Sequence, residues 1–82
     1  MDTKQKYVRL KQYNQIIIFN QILDHSQFRN FEPVSAGFCY VGIDEIRCFG
    51  ESITLKMKSD KQDSYFATKQ IFGIDAAEEH CL

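Results

Sequence analysis

Two stretches of strand-forming residues, Val34–Val41 and Ile46–Phe49, are separated by only four residues, Gly42-Ile43-Asp44-Glu45. So short a gap, opened by glycine, predicts an antiparallel hairpin. With the gap as the turn, residues whose numbers sum to 87 face each other: Val41 with Ile46, Tyr40 with Arg47, Cys39 with Cys48, Phe38 with Phe49. Side chains alternate across a strand, so this register sorts the hairpin into two faces. One face carries Cys39, Val41, Ile46 and Cys48, all uncharged. The other carries Phe38, Tyr40, Arg47 and Phe49.

A second hairpin is expected upstream. Tyr7-Val8-Arg9-Leu10-Lys11 alternates apolar and polar, the period of a half-buried strand. Ile16–Phe19 is apolar on both faces, which suits an interior strand. Gln12-Tyr13-Asn14-Gln15 makes the reversal, because asparagine tolerates the left-handed region. Pairing Val8 with Phe19 and Leu10 with Ile17 builds one apolar face and sets Arg9 and Lys11 opposite Ile18 and Ile16 on the other.

The remaining segments carry punctuation. Asp24 or Ser26 can cap a short helix bringing Phe28 and Phe31 inward, closed by Pro33. Gly50 marks a bend, after which Ile53, Leu55 and Met57 alternate with Thr54, Lys56 and Lys58 as a further strand. Ser59-Asp60-Lys61-Gln62 has the pattern of a capping box, and the helix it opens runs through Tyr65, Phe66, Ala67 and Ile71 to a stop at Gly73. The expected fold is α+β: an antiparallel meander of about five strands, one C-terminal helix packed on a sheet face, and a short helical segment between strands two and three. Residues 1–82 form a single domain, with 75–82 as a tail that adds a short turn or frays.

Composition narrows the function classes. Hydrophobic residues at 44% exclude a disordered chain, and seven Phe with four Tyr make a small core lean on its rings. The net charge of −1 creates no global field toward nucleic acid or anionic lipid. Locally, Lys4, Lys6, Arg9 and Lys11 are basic, while Asp75, Glu78 and Glu79 are acidic. No apolar stretch follows the basic start and the longest apolar run is Ile16–Phe19, so neither a secretory signal nor a membrane span is expected. Three cysteines make no disulfide framework, and the expected compartment is the cytoplasm.

The case for catalysis is thin. Asp24-His25-Ser26 contains the residue types of a hydrolase triad, but contiguous side chains diverge, whereas a triad is assembled from distant segments. His25, Ser35, Glu51 and Ser52 remain as a possible polar site. Cys39, Cys48, His25 and His80 lack zinc-ligand spacing, and neither metal nor cofactor is expected. Asp60 and Asp63 are explained by their place at a helix N-terminus, where acids favour the macrodipole.

The aromatic face of Phe38, Tyr40 and Phe49, with Arg47 among them, is the most informative constellation. A small domain with eleven aromatics must bury most of them, so one reading makes this face core beneath the helix. Aromatics and arginine are also enriched where proteins meet, and rings on adjacent strands serve as stacking platforms for bases. The leading expectation is a non-enzymatic binding module that forms a homodimer. The alternative is a small nucleic-acid-binding protein using Arg9 and Lys11, with Tyr7 and Tyr13 able to stack. A hydrolase centred on His25 comes third.

Pro33-Val34-Ser35-Ala36-Gly37-Phe38, Cys48-Phe49-Gly50-Glu51-Ser52 and Leu55-Lys56-Met57-Lys58-Ser59 resemble segments of a group of short uncharacterised bacterial and phage proteins. The similarity extends to Ile16–Phe19 and His25–Phe28, hence to most of the chain. It implies a compact cytoplasmic domain of bacterial or phage origin and carries over no activity and no catalytic residue.

Overall fold

The computed structural model describes residues 3–73. Strands β1 (Lys4–Leu10), β2 (Ile16–Phe19), β3 (Pro33–Val41) and β4 (Ile46–Phe49) form an antiparallel sheet in the order β2, β1, β3, β4. Two-residue strands β5 (Glu51–Ser52) and β6 (Met57–Lys58) pair separately, and helix α1 spans Asp63–Phe72. Short 3-10 helices occupy Gln12–Asn14 and His25–Phe31. The architecture is therefore α+β, with the C-terminal helix on the sheet and a helical segment between β2 and β3. Among the described residues, no helix is long and apolar enough to cross a membrane.

The strand order departs from a sequential meander, because β3 pairs with β1 rather than with β2. These are the two longest strands, and placing them centrally buries Val8 and Ala36 completely at a cross-strand pair. The second hairpin has the expected register, Phe38 to Phe49 through Val41 to Ile46, with the turn closed by Gly42 N–H to the Glu45 carbonyl at 2.9 Å. The first hairpin is shifted by two residues: Val8 faces Ile17, and Arg9 faces Ile16. An even shift keeps every side chain on its expected face. The shift arises because the loop starts earlier. Leu10 N–H bonds the Gln15 carbonyl at 2.8 Å, Tyr13 and Asn14 both take positive φ, and Lys11 leaves the strand.

Two local expectations are corrected. Residues 53–58 are not one strand. Ser52 Oγ accepts from Leu55 N–H, Lys56 N–H bonds the Ile53 carbonyl, and Lys56 sits at φ 56°, so the chain turns tightly between β5 and β6. The alternation there reflects Leu55 and Met57 packing on Val8 and Ala36 while Ile53 points to solvent. Nor does Ser59 cap the helix. Asp60 Oδ1 accepts from Gln62 N–H at 2.9 Å, and Asp63 Oδ2 accepts from Asp60 N–H at 2.8 Å. The reciprocal logic of a capping box is kept, one residue later and with two aspartates. Gly73 ends the helix as expected, its N–H on the Lys69 carbonyl. The anticipated tail 75–82, with His80 and Cys81, lies outside the described residues.

The sheet has a core on each face. Beneath α1 lie Tyr7, Ile16, Cys39 and Ile46, packed against Ala67 of the helix. On the opposite face Val8, Leu10, Phe19 and Ala36 are covered by Phe28 of the second 3-10 helix and by Leu55 and Met57. Gly37 lets the backbone after β4 pass close, since a Cβ there would collide with the Phe49 carbonyl oxygen.

Helix α1 also caps part of each sheet edge. On β4, Cys48 N–H donates to Ser64 Oγ at 2.8 Å, and Ile46 N–H donates to Thr68 Oγ1 at 3.0 Å. The Thr68 hydroxyl then donates back to the Ile46 carbonyl at 3.3 Å. Ser64 and Thr68 are four residues apart, so one helix face reaches two alternate positions of the edge strand. On β2, Gln70 accepts from Ile16 N–H at 2.8 Å and donates to the Ile16 carbonyl at 2.7 Å. These side chains stand where a neighbouring strand would, which blunts the edges against further pairing.

Candidate interaction surface

The face opposite α1 is only partly covered. Beyond the second 3-10 helix and the β5–β6 hairpin, alternate residues of β3 and β4 project outward: Phe38 and Tyr40, Arg47 and Phe49. Their rings belong to a continuous file. Phe28 packs on Phe19 at 4.5 Å between centroids, Phe19 on His25 at 5.4 Å, His25 on Phe38 at 5.8 Å, Phe38 on Phe49 at 6.1 Å, and Phe49 on Tyr40 at 5.2 Å. Phe19 and His25 are buried in its middle, and the file reaches solvent at both ends. Phe31, 6.2 Å beyond Phe28, is 59% exposed rather than turned inward, and at the far end Tyr40 is 39% and Phe49 36% exposed.

Tyr40 and Phe49 stack nearly parallel, 18° between planes, and make a flat apolar platform. Charge rims it. Lys4 Nζ lies 4.8 Å from the Phe38 ring centroid, a cation–π contact. Arg47 is largely solvent-exposed, with Nε 4.0 Å from Glu45 Oε1. Beside the platform, Tyr40, Gly42, Ile43, Asp44, Glu45 and Arg47 line a groove of about 240 Å³. Ile43 at the hairpin tip is 96% exposed. The four residues singled out as an aromatic face thus share one surface, on which Phe38 is half-buried and Tyr40, Arg47 and Phe49 are exposed.

The proposed Tyr7, Arg9, Lys11 and Tyr13 face is not a surface. Tyr7 is fully buried under α1, Arg9 nearly so, and Lys11 and Tyr13 sit in the exposed loop beyond the strand. Tyr7 and Arg9 instead converge on Asp63, which is 0% exposed. The Tyr7 hydroxyl donates to Asp63 Oδ2, Ser35 Oγ donates to Oδ1 at 2.9 Å, and Arg9 Nε lies 3.3 Å from Oδ1 with its guanidinium over the Phe66 ring. Burial, and then the bond to Asp63, push the Tyr7 hydroxyl far above its ordinary pKa, so it remains a donor. This cluster is closed to ligands. It pins α1 to β1 and β3.

The polar candidates separate. His25, Glu51 and Ser52 line one cleft of about 400 Å³ with Lys6, Asp24, Phe38, Ile53 and Thr54, whereas Ser35 is on the other sheet face with Asp63. His25 Nε2 donates to the Gly37 carbonyl at 2.8 Å, and its ring is held edge-on between Phe19 and Phe38. Burial is the main cause of its lowered pKa, so it is neutral at pH 7. Asp24 accepts from Ser26 N–H and from Thr54 Oγ1, which fastens the 3-10 helix to the β5–β6 turn. Ser52 Oγ is taken by Leu55 N–H. Among the described residues no hydrogen bond joins His25 to a serine or a carboxylate, so Asp24-His25-Ser26 is not a triad.

Cys39 and Cys48 face each other beneath α1, on the opposite side of the sheet from His25. Because Cys48 N–H points outward to Ser64, they form the closely spaced kind of antiparallel pair. Burial pushes their thiols up to about 11 and about 12, so both stay protonated. Among the described residues, no three metal-ligating side chains come together.

The chain matches no protein-family model, no curated protein and no solved structure.

Sequence reasoning missed Asp63 as a hub and Ser64, Thr68 and Gln70 as edge caps. A faint signal exists. Arg9 and Tyr7 share a strand face with Ile16 and Ile18, so a helix covering that face needs an acid to meet the guanidinium, and Asp63 is in its first turn.

Proposed function

We propose that this chain is a non-enzymatic binding module that takes a protein partner on the open half of its sheet, over Tyr40, Phe49, Phe38 and Arg47. One observation carries the reading: Tyr40 and Phe49, stacked on adjacent strands, remain more than a third exposed, although Phe19 and His25 of the same file are buried. A chain this small gains by burying its rings, and a rigid apolar platform with an arginine at its rim suits a protein contact. The rings are already positioned by the file behind them, so little side-chain entropy is lost on binding. Nucleic acid is disfavoured as the partner. Glu45 lies beside Arg47, and Arg9 is paired with Asp63.

The test is a paired bait. Wild-type protein and the double variant Tyr40→Ser/Phe49→Ser are immobilised, after circular dichroism shows that both are folded. The wild type, and not the variant, retains a protein partner, its own chain included. Equal capture by both baits refutes the reading.

A further inference from the structure

Resting on that reading, we infer that the occupant of the open face is a second copy of the chain, docked sheet face to sheet face about a two-fold axis. Three features of the molecule lead there. First, the edge route to self-association is closed at Ile46 and Cys48 on β4 and at Ile16 on β2, where α1 side chains already hold the outward backbone groups. The sheet face over Tyr40 and Phe49 is open.

Second, the face is self-complementary in charge. Along one row of β4 and the turn before it come Glu45, Arg47 and Phe49, acid, base and ring, with Lys4 across β3 beside the Phe38 ring. A two-fold axis in the interface runs the row of one copy against the same row of the other in reverse. An axis crossing the hairpin at the level of Ile46 sets Arg47 against the partner's Glu45, and Glu45 against the partner's Arg47. A single-sign patch would repel its own copy, and this one does not. The net charge of −1 adds no general repulsion.

Third, the same axis accounts for two otherwise unsupported features of the hairpin tip. It sets Gly42, which has no side chain to obstruct it, over the partner's Tyr40, and turns the exposed hairpin tip at Ile43 toward the partner's platform. The groove between Tyr40, Gly42, Ile43 and Arg47 is then where the two tips interleave. Closed two-fold pairing through a face, with the edges capped at Ile16, Ile46 and Cys48, gives a dimer rather than a filament.

The experiment is a charge swap read by sedimentation velocity and light scattering. Wild type forms a dimer whose fraction rises from low to high micromolar concentration. Arg47→Glu alone and Glu45→Arg alone each weaken self-association by about tenfold or more, since two-fold symmetry counts every change twice. Mixing the two variants in equal amounts restores a dimer, because each then meets the opposite charge, and mass-tagged copies identify it as the heterodimer. Arg47 is exposed, and circular dichroism verifies that both variants fold. A mixture no more associated than its components overturns the proposed axis. Wild type that stays monomeric at high micromolar concentration overturns the second copy as occupant. If that monomer, used as bait, still captures another protein through Tyr40 and Phe49, the binding face itself stands. If it captures nothing that the double variant does not, both inferences fall.

Discussion

Tyr7 and Asp63, 56 residues apart in the chain, meet in a buried hydrogen bond between a strand hydroxyl and a carboxylate in the first turn of the helix. With Ser35 and Arg9 on the same carboxylate, the bond fixes where α1 lands on the sheet. The edge caps Ser64, Thr68 and Gln70 depend on that landing, because they sit on the helix that Asp63 anchors.

Removing the carboxylate leaves the Arg9 charge buried without its partner. Asp63→Ala is therefore expected to cost about 3–5 kcal/mol, and Tyr7→Phe, which removes one bond to a charged group, about 1.5–3 kcal/mol. Lys11→Ala, in the exposed loop, stays within about 0.5 kcal/mol. Urea unfolding of the three variants checks the order. If Lys11→Ala proved the most damaging, the buried cluster would not be what holds the helix.

The helix start gives a sharper contrast between neighbours. Asp60→Ala is expected to cost about 1 kcal/mol, because Gln62 N–H loses its acceptor. Ser59→Ala should leave the melting temperature within error. The opposite pattern would restore Ser59 as the cap.

His25 predicts a particular pH window. Burial lowers its pKa in the folded state, and nearby Lys6 lowers it further, so the unfolded chain binds the proton first, near its ordinary value of about 6.5. The contribution of His25 is complete above that value and is lost as pH falls through the folded pKa. Asp24, also lowered, acts in a separate and more acidic window, below its ordinary value of about 3.9. Stability from pH 7 to pH 5 should therefore fall in wild type and flatten in His25→Gln. An equally steep slope in the variant would show that another group titrates there.

The thiols of Cys39 and Cys48 should be chemically quiet. With their pKa values pushed up to about 11 and about 12, hardly any thiolate exists at pH 8. In a Cys81→Ser variant, a maleimide should alkylate the buried Cys39 only as fast as the native state opens, and the half-buried Cys48 slowly. Rapid labelling of Cys39 at neutral pH would contradict its burial.

How much of this was legible in the chain divides by range. The β3–β4 register was readable because a four-residue gap and a period of two act locally, and the face it defines is the one left open. The β1–β2 faces were legible for the same reason. Their register was not, since it depended on Tyr13 taking a positive φ, which no pattern of apolar residues announces. The strand order was decided by the fold, because nothing local in Tyr7–Leu10 prefers Ala36 and Gly37 over Ile17 and Ile18 as a neighbour on its far side. The same holds for Arg9. The sequence placed it correctly on the face opposite Val8 and Leu10, but whether that face met solvent or a helix was settled only when α1 packed across it. Alternation fixes direction along a strand, whereas burial is a property of whatever comes to cover it, and for Arg9 that cover is Asp63 and Phe66.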